Sequence, residues 1–377
     1  MRNKTTRIAI IGSLPPPQGG ITTHIDSFYR RVGAEWRGGL APNELSFGII
    51  DPRGSPAKTA GFGRSPVVEP VFLPGNPLRA MRVLMAAHIV HLHVSVGKWT
   101  VPVLALACRL LGKRFILTIH HGGIAATVRR WGGFPRRLWL AAARSAARLV
   151  FVSASQQGEC REAFGIRDGV VLGSYIATRE LIEVRNLRAQ RRRGERTPAA
   201  PITLVTSGYG KAYYNFDRVI AAAEQLRESG RDVRALVFVY GDRDSGIVSA
   251  LAAFARKHAW LDVRYDAGRV QFIEALADSD IYVRATTVDS YGLAVAEAIS
   301  LGVSAVATNV CARPAGTVVY DVTAENGLYE TLVSVLAGDP AGAAAADAKR
   351  DDDLNDAYPA ILSMYRMVVE ATPRAVV

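Results

Sequence analysis

The chain of 377 residues repeats one pattern twice: short apolar runs of strand length alternate with longer segments rich in Ala and Leu. Apolar runs of this kind are typical of parallel strands buried on both faces, and their alternation with helices indicates a doubly wound α/β sheet. The first series predicts strands at 7–11, 89–94, 115–119 and 149–152, with helices at 100–111 and 136–147. The second predicts strands at 202–206, 235–240, 263–265, 280–283 and 304–307, with helices at 216–227, 247–258, 271–277 and 293–301.

Two such series in a chain of this length indicate two domains, because one compact core rarely extends over so many residues. We predict an N-terminal domain over 1–180, a basic linker over 181–200 and a C-terminal domain over 201–355. The linker contains Arg191-Arg192-Arg193-Gly194 and Pro198, which favours an exposed loop. An apolar-periodic helix is expected within 356–377.

Composition predicts a globular protein in a reducing compartment. Apolar residues make up 49% of the chain and charged residues 21%. Cys108, Cys160 and Cys311 are odd in number and widely spaced, which favours free thiols and gives no metal-binding spacing. The apolar run 8–11 is too short for a secretion signal, and the run 99–111 falls short of the roughly 20 residues that span a bilayer. We therefore expect a cytoplasmic protein without a transmembrane helix.

Positive charge is concentrated in the first half of the chain. Residues 1–175 contain 23 Lys and Arg against 8 Asp and Glu, whereas residues 176–377 contain 23 against 26. A basic half of this kind favours a polyanionic partner: an anionic membrane surface, a lipid-linked diphosphate or a nucleic acid.

The segment from Asp289 to Glu297 is the strongest indication of a binding site. Two carboxylates stand eight residues apart across a Tyr-Gly-Leu turn, between the predicted strand 280–283 and a helix that ends near Gly302. The start of such a helix favours an anion such as a phosphate, and a carboxylate on the same helix can accept hydrogen bonds from sugar hydroxyls. Phosphate and sugar side by side describe a nucleotide-sugar, whereas an isolated Glu in this position would serve only to stabilise the helix dipole.

This segment resembles the E-x7-E region of retaining glycosyltransferases of family 4, which have the GT-B fold, and the resemblance extends over most of the chain. One departure is that the first acidic position is Asp289 instead of Glu. The other segments that carry the resemblance are Pro15-Pro16-Pro17-Gln18-Gly19-Gly20-Ile21, Ile89-Val90-His91-Leu92-His93 and Leu117-Thr118-Ile119-His120.

The resemblance implies two Rossmann-like domains that face each other across a cleft, with the last helix crossing back to the N-terminal domain. It implies that the C-terminal domain binds a nucleotide-sugar, which is a co-substrate, and that no metal or other cofactor takes part in a transfer with retention of configuration. Glu297 would then hold the ribose and Asp289 the sugar hydroxyls. The backbone of Gly292 and Leu293 would hold the diphosphate. The turn Tyr240-Gly241-Asp242 is expected to approach the base.

In the N-terminal half, the resemblance directs the Gly19-Gly20 loop toward the donor and His120 toward the transferred sugar and the acceptor hydroxyl. His120 follows a predicted strand, and strand ends of this kind face the ligand crevice in open α/β sheets. His121 is expected to point to the opposite face. His91 and His93, two residues apart, have a spacing that suits a metal but lack a further ligand nearby, so we expect a pair of polar residues near the acceptor pocket.

The segment after the first strand of the C-terminal domain departs from the family, which usually has Arg and Lys where this chain has Tyr209 and Tyr214. A departing diphosphate requires positive charge. Lys211 is the first candidate to provide it, Arg284 the second and Arg313 the third. A loss of catalysis is the alternative that these tyrosines leave open.

A basic and aromatic segment lies close to His120 in sequence. Arginines and tryptophans together suit the headgroup region of an anionic membrane, although they also suit single-stranded nucleic acid or a solvated face over two core tryptophans. We predict a membrane or acceptor patch formed by Arg129, Arg130, Trp131, Arg136, Arg137 and Trp139.

The sequence therefore predicts a metal-independent glycosyltransferase, peripherally bound to the inner membrane, with a lipid-linked or envelope glycan as its acceptor and without nucleic acid as a partner. Three alternatives remain open: a nucleotide-sugar epimerase of similar build, a non-catalytic relative that binds sugar nucleotides or glycans, and a nucleic-acid-binding protein.

Overall fold

The computed structural model describes residues 5–38, 44–53, 68–194, 200–338 and 355–371. The chain divides into two compact units. Unit 1 comprises Met1–Pro16, Gly20–Ile176 and Ala357–Val377, and unit 2 comprises Pro17–Gly19 and Ala177–Asp356. Each unit contains one parallel sheet with helices between its strands. The structure confirms the predicted α/β class with two doubly wound, Rossmann-like domains.

The sheet of unit 1 has seven parallel strands in the order β3-β2-β1-β4-β5-β6-β7. Its strands are β1 (Thr6–Ile11), β2 (Leu45–Asp51), β3 (Val68–Phe72), β4 (Ile89–Val94), β5 (Arg114–Ile119), β6 (Arg148–Phe151) and β7 (Val170–Val171). Its helices are α1 (Gly20–Arg37), α2 (Pro77–Ala86), α3 (Thr100–Leu110), α4 (Ile124–Arg129), α5 (Gly133–Ser145), α6 (Ala154–Phe164) and α13 (Tyr358–Glu370).

Helix α13, at the C-terminal end of the described chain, packs into the core of unit 1. Its buried residues Ile361, Met364 and Tyr365 join a hydrophobic cluster with β1 and with Phe28 of α1. Arg114 donates hydrogen bonds to the carbonyl oxygens of the last turn of α13, which offsets the partial negative charge there. These contacts place the helix expected within 356–377 in the unit that contains the first half of the chain.

The sheet of unit 2 has six parallel strands in the order β10-β9-β8-β11-β12-β13. Its strands are β8 (Ile202–Gly210), β9 (Val233–Arg243), β10 (Leu261–Tyr265), β11 (Ile281–Arg284), β12 (Ser304–Thr308) and β13 (Val318–Tyr320). Its helices are α7 (Arg179–Gly194), α8 (Phe216–Glu228), α9 (Ser245–Lys257), α10 (Arg269–Ala277), α11 (Leu293–Ser300) and α12 (Gly327–Ala337).

The strand order reverses direction once in each sheet. In unit 1 the reversal lies between β1 and β4, and in unit 2 between β8 and β11. In open parallel sheets the crevice outside the carboxyl ends of the strands at such a switch point is where ligands bind. The two switch points therefore define where functional side chains are to be sought in each unit.

Residues 179–194 form helix α7, where the sequence analysis expects an exposed loop. The hydroxyl of Thr178 accepts a hydrogen bond from the backbone N–H of Leu181, and Arg179 pairs with Glu183 at 2.8 Å one turn later. The side chain of Arg188 is buried and donates to the carbonyls of Leu301 and Ser279, both at 2.8 Å. A run of good helix formers with one anchoring arginine thus outweighs the Arg-rich, Gly-containing signal for a loop. The remainder of the expected linker, 195–199, lies outside the described residues.

Helix α1 is another element that the sequence pattern does not announce. It begins at Gly20, which the sequence analysis places in a ligand-binding loop. The buried residues of the helix include the polar side chains Thr22, Thr23, His24 and Asp26. Because these polar side chains interrupt the apolar periodicity, the segment lacks the signal that usually identifies a buried helix.

Among the described residues, no helix combines the length and the apolar character needed to cross a bilayer.

Replacing Arg188 by Ala should lower the free energy of unfolding of unit 2 by about 1–3 kcal/mol, because two buried carbonyl oxygens lose charged donors. Urea unfolding followed by circular dichroism measures this change. Leu187→Ala is the matched control, since that neighbouring side chain is 54% exposed. Equal destabilisation by the two substitutions would contradict an anchoring role for Arg188.

Candidate functional site

The switch point of unit 2 contains an arginine–aspartate cluster formed by Arg284, Asp289 and Arg313. Arg284 ends β11 and donates to both carboxylate oxygens of Asp289, with Nε at 2.9 Å and Nη2 at 3.3 Å. Nη1 of Arg313 donates to Oδ2 of the same carboxylate at 2.6 Å. The three side chains are between 3% and 13% exposed, so the ion pairs are shielded from water. The cluster has two positive charges and one negative charge, and its net charge is therefore positive.

The carboxylate of Asp289 is fully occupied by donors. The hydroxyl of Thr286 and the backbone N–H of Ser290 add two hydrogen bonds to those from the arginines. Burial by itself would raise the pKa of Asp289, but the ion pairs with Arg284 and Arg313 outweigh it and hold this pKa well below its ordinary value. Asp289 is thus an ionised group that positions two guanidinium groups. This differs from the expected role of holding sugar hydroxyls, for which the carboxylate would need free acceptor capacity.

Gly292 brings Arg313 against the start of helix α11. The glycine adopts φ = 93°, in the left-handed region, and caps the helix at its N-terminal end. A methyl group at this position would lie 3.0 Å from Nη1 of Arg313, so the guanidinium contacts the cap directly. The helix dipole and the guanidinium charge therefore act at one point, together with the backbone of Leu293 in the first turn. This is the arrangement that an anionic ligand requires.

Glu297, in the second turn of α11, forms a second ion pair in unit 2. Its carboxylate is 2% exposed and accepts a hydrogen bond of 2.6 Å from Nη2 of Arg269, which is the first residue of α10. Tyr240 lies close enough to interact electrostatically with Arg269 and Glu297, and burial raises the pKa of its hydroxyl. The sequence motif thus identifies Glu297, whereas Arg269 carries no local signal that distinguishes it from any other arginine at the start of a helix.

Tyr209 and Tyr214, the two departures from the family pattern, are packing residues around the loop after β8. The ring of Tyr214 lies over Gly208, where any added Cβ would overlap it, and the guanidinium carbon of Arg284 is 4.9 Å from its centroid. The ring of Tyr209 meets that of Tyr214 edge to face at 5.9 Å. Tyr214 therefore supports Arg284 through a cation–π contact in the place where the family has a lysine.

Lys211, in the same loop, forms an ion pair of 3.0 Å with Asp242, whose side chain is 82% exposed. Exposed pairs of this type contribute little energy and exchange readily. Of the three predicted cations, Arg284 and Arg313 are paired with Asp289 at the switch point, and Lys211 is the most exposed.

Four histidines from three parts of unit 1, namely α1, β4 and the end of β5, form a histidine cluster that consists of His24, His91, His93 and His120. Their ring centroids lie between 4.1 and 5.4 Å apart. Nδ1 of His93 is 3.0 Å from Nε2 of His120, so one of these two nitrogens donates and the other accepts. His91 binds the hydroxyls of Tyr365 and Thr118, and His24 binds the carbonyl of Ser174.

Burial keeps the histidine cluster uncharged at neutral pH. Desolvation lowers the pKa of His24 to about 4 and that of His91 to about 3. It also holds the pKa values of His93 and His120 well below their ordinary value, and the neighbouring imidazoles lower them further. His120, which is partly exposed just beyond β5, is therefore a neutral hydrogen-bonding group and not a cation. His91 and His93, expected as a pair, belong to this larger group.

Within the described residues no group of three or more His, Cys, Asp or Glu side chains has a geometry that could hold a metal ion.

The remaining predicted residues from the first half of the chain are dispersed. Gly19 precedes α1, and the space beside Gly20 is open, since an added Cβ there would meet no atom within 4 Å. The Nδ1 atom of His121 bonds to the carbonyl of Gly122, and its own carbonyl accepts from Gln156.

The predicted basic and aromatic patch is only partly a surface. Arg129, Arg130 and Arg137 are exposed, and Arg136 and Trp131 are partly buried. Trp139, however, is 0% exposed in the core of unit 1 and donates from Nε1 to the carbonyl of Val96 at 3.0 Å. Its assignment to the patch is therefore wrong: a large apolar ring on the inner face of α5 gains more from burial than from contact with a headgroup region.

The free energy of unfolding of unit 1 should decrease as the pH falls from about 6.5 toward 4. In this range the histidines of the unfolded chain bind protons, whereas the buried histidines of the folded state remain neutral. Each histidine with a lowered pKa adds a slope of about 1.4 kcal/mol per pH unit within this window, and full stability is present above it. Urea unfolding at a series of pH values measures the slope. His24→Gln, which keeps a donor for Ser174, should make it shallower, and an unchanged slope in this variant would refute the cause.

Comparison with known proteins adds information at the level of structure. The sequence matches no protein-family model and no curated protein. The structure is similar to HepE from Anabaena, solved in complex with UDP, with a TM-score of 0.68 at 13% identity over 97% of this chain and 100% of that chain. HepE in complex with UDP-glucose gives a TM-score of 0.65 at 13% identity, with 97% and 98% covered.

Two further structures have the same architecture. Sucrose-phosphate synthase from Thermosynechococcus elongatus has a TM-score of 0.70 at 13% identity, with 97% of this chain and 100% of that chain covered. The UDP-forming α,α-trehalose-phosphate synthase from Burkholderia xenovorans, in complex with glucose-6-phosphate, has a TM-score of 0.69 at 11% identity, with 96% and 100% covered. The two Rossmann-like units and this similarity along nearly the whole chain establish that the protein has the GT-B fold.

Proposed function

We propose that this protein is a glycosyltransferase that moves a sugar from a nucleotide-sugar donor to an acceptor hydroxyl. The observation that carries the proposal is the anion site of unit 2, where the positively charged arginine–aspartate cluster meets the N-terminus of α11 at the switch point of the sheet. The fold shared with HepE, which was solved with UDP and with UDP-glucose, supports a nucleotide-sugar as the anion.

In the proposed donor complex, Arg313 and the backbone of Gly292 and Leu293 bind the diphosphate. Nη1 of Arg313 directs one hydrogen bond to Asp289 and lies beside the helix cap, so its remaining hydrogen is available to a phosphate oxygen there. Arg284, fixed by Asp289 and by the carbonyl of Ser207, provides the second positive charge. Both charges stabilise the diphosphate as the glycosidic bond breaks.

Glu297 accepts hydrogen bonds from the ribose in this proposal, and Arg269 orients its carboxylate. The carboxylate is almost completely buried, and because its ion pair with Arg269 engages Oε1, it retains acceptor capacity for hydroxyl groups. Asp289 is a positioning residue, since its acceptor sites are taken by the arginines and the loop.

On the acceptor side we propose that neutral His120 orients the attacking hydroxyl. Its contacts with His93 and Ser174 fix the ring, and its lowered pKa keeps the imidazole uncharged at neutral pH. Retention of configuration, independence from metals, a lipid-linked or envelope glycan acceptor, and a cytoplasmic location at the inner membrane complete the proposal. The resemblance to family 4 and the basic first half of the chain support them.

Glu297→Gln should reduce transfer by about a hundredfold or more, because a charged hydrogen bond to the donor is lost and Arg269 is left without its partner. A coupled assay of nucleotide release measures turnover, and circular dichroism checks the fold. Glu274→Gln is the matched control, an exposed glutamate on α10. Turnover at the wild-type level in the Glu297 variant would reject this site.

Arg313→Lys and Arg284→Lys should weaken the binding of nucleoside diphosphates by about tenfold each, since an ammonium cannot hold Asp289 and a phosphate in the same planar geometry. Lys211→Ala should have a smaller effect because the lysine is more exposed than the arginines and is paired with an exposed Asp. Isothermal titration calorimetry compares the three variants. A loss confined to Lys211→Ala would instead identify the lysine as the diphosphate cation.

A thermal-shift screen of nucleotide-sugars, followed by transfer assays with the best donor, tests the function as a whole. A raised melting temperature with product formation is the expected result. Donor binding without transfer to any acceptor would favour the non-catalytic relative, for which Tyr209 and Tyr214 are the supporting observation. The absence of any shift would contradict the proposal.

A further inference from the structure

One acid-free segment accounts for the net positive charge of the chain. Between Glu69 and Glu159 there is no Asp or Glu, and this stretch of 89 residues contains twelve Lys and Arg. The formal net charge of the whole protein is +12, so the rest of the chain is neutral overall. The segment forms β4 and β5 together with helices α2 to α5 of unit 1.

Two helices of this segment expose apolar stripes. In α2, Leu78, Met81 and Met85 follow the spacing i, i+3, i+7 and are 74%, 54% and 50% exposed. In α3 the same spacing recurs at Val103, Leu106 and Leu110, which are 65%, 58% and 77% exposed. Residues at this spacing share one side of a helix.

The outer stripe of α3 is distinct from its core stripe. Val101, Ala105 and Cys108 face the core and are buried, so the helix is apolar on both sides. A helix of this type is usually enclosed by protein or lipid. The outward side of α3 thus has the composition of a contact surface, and among the described residues its side chains remain exposed.

The two helices that carry the stripes adjoin near their C-terminal ends. Nζ of Lys113, just after α3, donates to the carbonyls of Met85 and Ala87 at the end of α2, at 2.8 and 2.7 Å. Leu84 of α2 packs into the same hydrophobic cluster as the buried face of α3. On the other side α3 packs against α5, which exposes Phe134 at its start.

Exposed cations border this surface and extend it. Arg79 and Arg82 flank the stripe of α2, and Arg109 flanks that of α3. Lys98 and Trp99 lie just before α3, with Trp99 52% exposed. Guanidinium groups around an aliphatic patch with an aromatic residue at its edge match the interfacial region of an anionic bilayer, where acyl chains accept the apolar side chains and phosphates the cations.

We propose that the outer face of α2 and α3 is a docking surface for an anionic lipid bilayer, into which Leu78, Met81, Leu106 and Leu110 insert. The inference does not depend on the chemistry of unit 2. It moves the membrane contact from the segment 129–139 to two helices that the sequence analysis does not assign to it, and it leaves the exposed arginines of that segment as additional contacts.

A second copy of this chain fits the surface poorly. A two-fold interface would bring the same patch of each copy together, and a patch bordered by arginines without a single acid in the segment would place like charges opposite one another. A nucleic acid would satisfy the cations but not the aliphatic stripes, since bases stack on aromatic rings instead.

Vesicle sedimentation with the full chain tests the proposal. Wild-type protein should bind vesicles that contain about one-third phosphatidylglycerol at least tenfold more strongly than vesicles of phosphatidylcholine alone, and added salt should weaken binding. The charge variant Arg79→Ser/Arg82→Ser/Arg109→Ser should lose about a hundredfold, at roughly fivefold per cation. The apolar variant Met81→Ser/Leu106→Ser/Leu110→Ser should lose at least about tenfold.

The matched control is Leu187→Ser/Val319→Ser/Met367→Ser, which removes apolar groups of 54%, 53% and 45% exposure from other surfaces. It should bind vesicles as the wild type does. Circular dichroism and the melting temperature verify that each variant folds, and binding of the soluble donor separates this test from that of the proposed function. Undiminished binding by the apolar variant, or no binding by the wild type, would overturn the proposal. Size-exclusion chromatography that shows a dimer lost only in the apolar variant, without vesicle binding, would assign the face to self-association.

Discussion

The site in unit 2 depends on one buried carboxylate. Asp289 holds Arg284 from the end of β11 and Arg313 from the segment after β12, and it also binds the backbone of its own loop. Removing a carboxylate from water costs several kcal/mol, and two guanidinium partners offset that cost only because five donors converge on its two oxygens. The loop that this network fixes leads directly to Gly292 and to the start of α11. The position of the helix N-terminus, and with it that of the proposed anion site, follows from the ion pairs.

The network also explains how the chain can replace two cations that its resemblance to family 4 leads one to expect. Tyr214 occupies one of those positions, and the guanidinium group of Arg284 packs over its ring. The positive charge is therefore contributed by a residue of β11 instead of by a residue of the loop after β8. A guanidinium held by a carboxylate, a carbonyl and an aromatic face has little freedom to lose when a ligand binds. Positive charge at the switch point is thus retained, although the residues that provide it differ.

In unit 1 the histidine cluster and the exposed apolar and cationic surface lie in different places. At the carboxyl ends of β4 and β5 the histidine cluster is buried, neutral and connected through Tyr365 to helix α13. On the helices of the acid-free segment, by contrast, aliphatic and cationic side chains are exposed together. The first arrangement suits the orientation of a hydroxyl group in a site of low polarity, and the second suits adsorption to a lipid surface. Three of the four histidines lie in this same acid-free segment, because its strand residues enter the sheet while its helix residues divide between core and solvent; His24 joins them from α1.

The sequence by itself determined the features that depend on local pattern. Apolar runs and helical periods predicted the two parallel sheets, and the spacing of Asp289 and Glu297 around a glycine turn predicted the start of α11, because such signals arise within one or two consecutive elements. It did not reveal the polar-faced helix α1 or the Arg-rich helix α7, where local signals compete.

Only the tertiary structure decided which side chains meet. Arg313 reaches Asp289 from 24 residues away, Arg269 reaches Glu297 from 28, and His24 joins His93 and His120 from three separate elements. Burial of Trp139 and exposure of Leu106 likewise follow from which side of a helix the sheet covers. Partners of this kind are set by strand order and crossover geometry, which a linear pattern of residues does not encode locally.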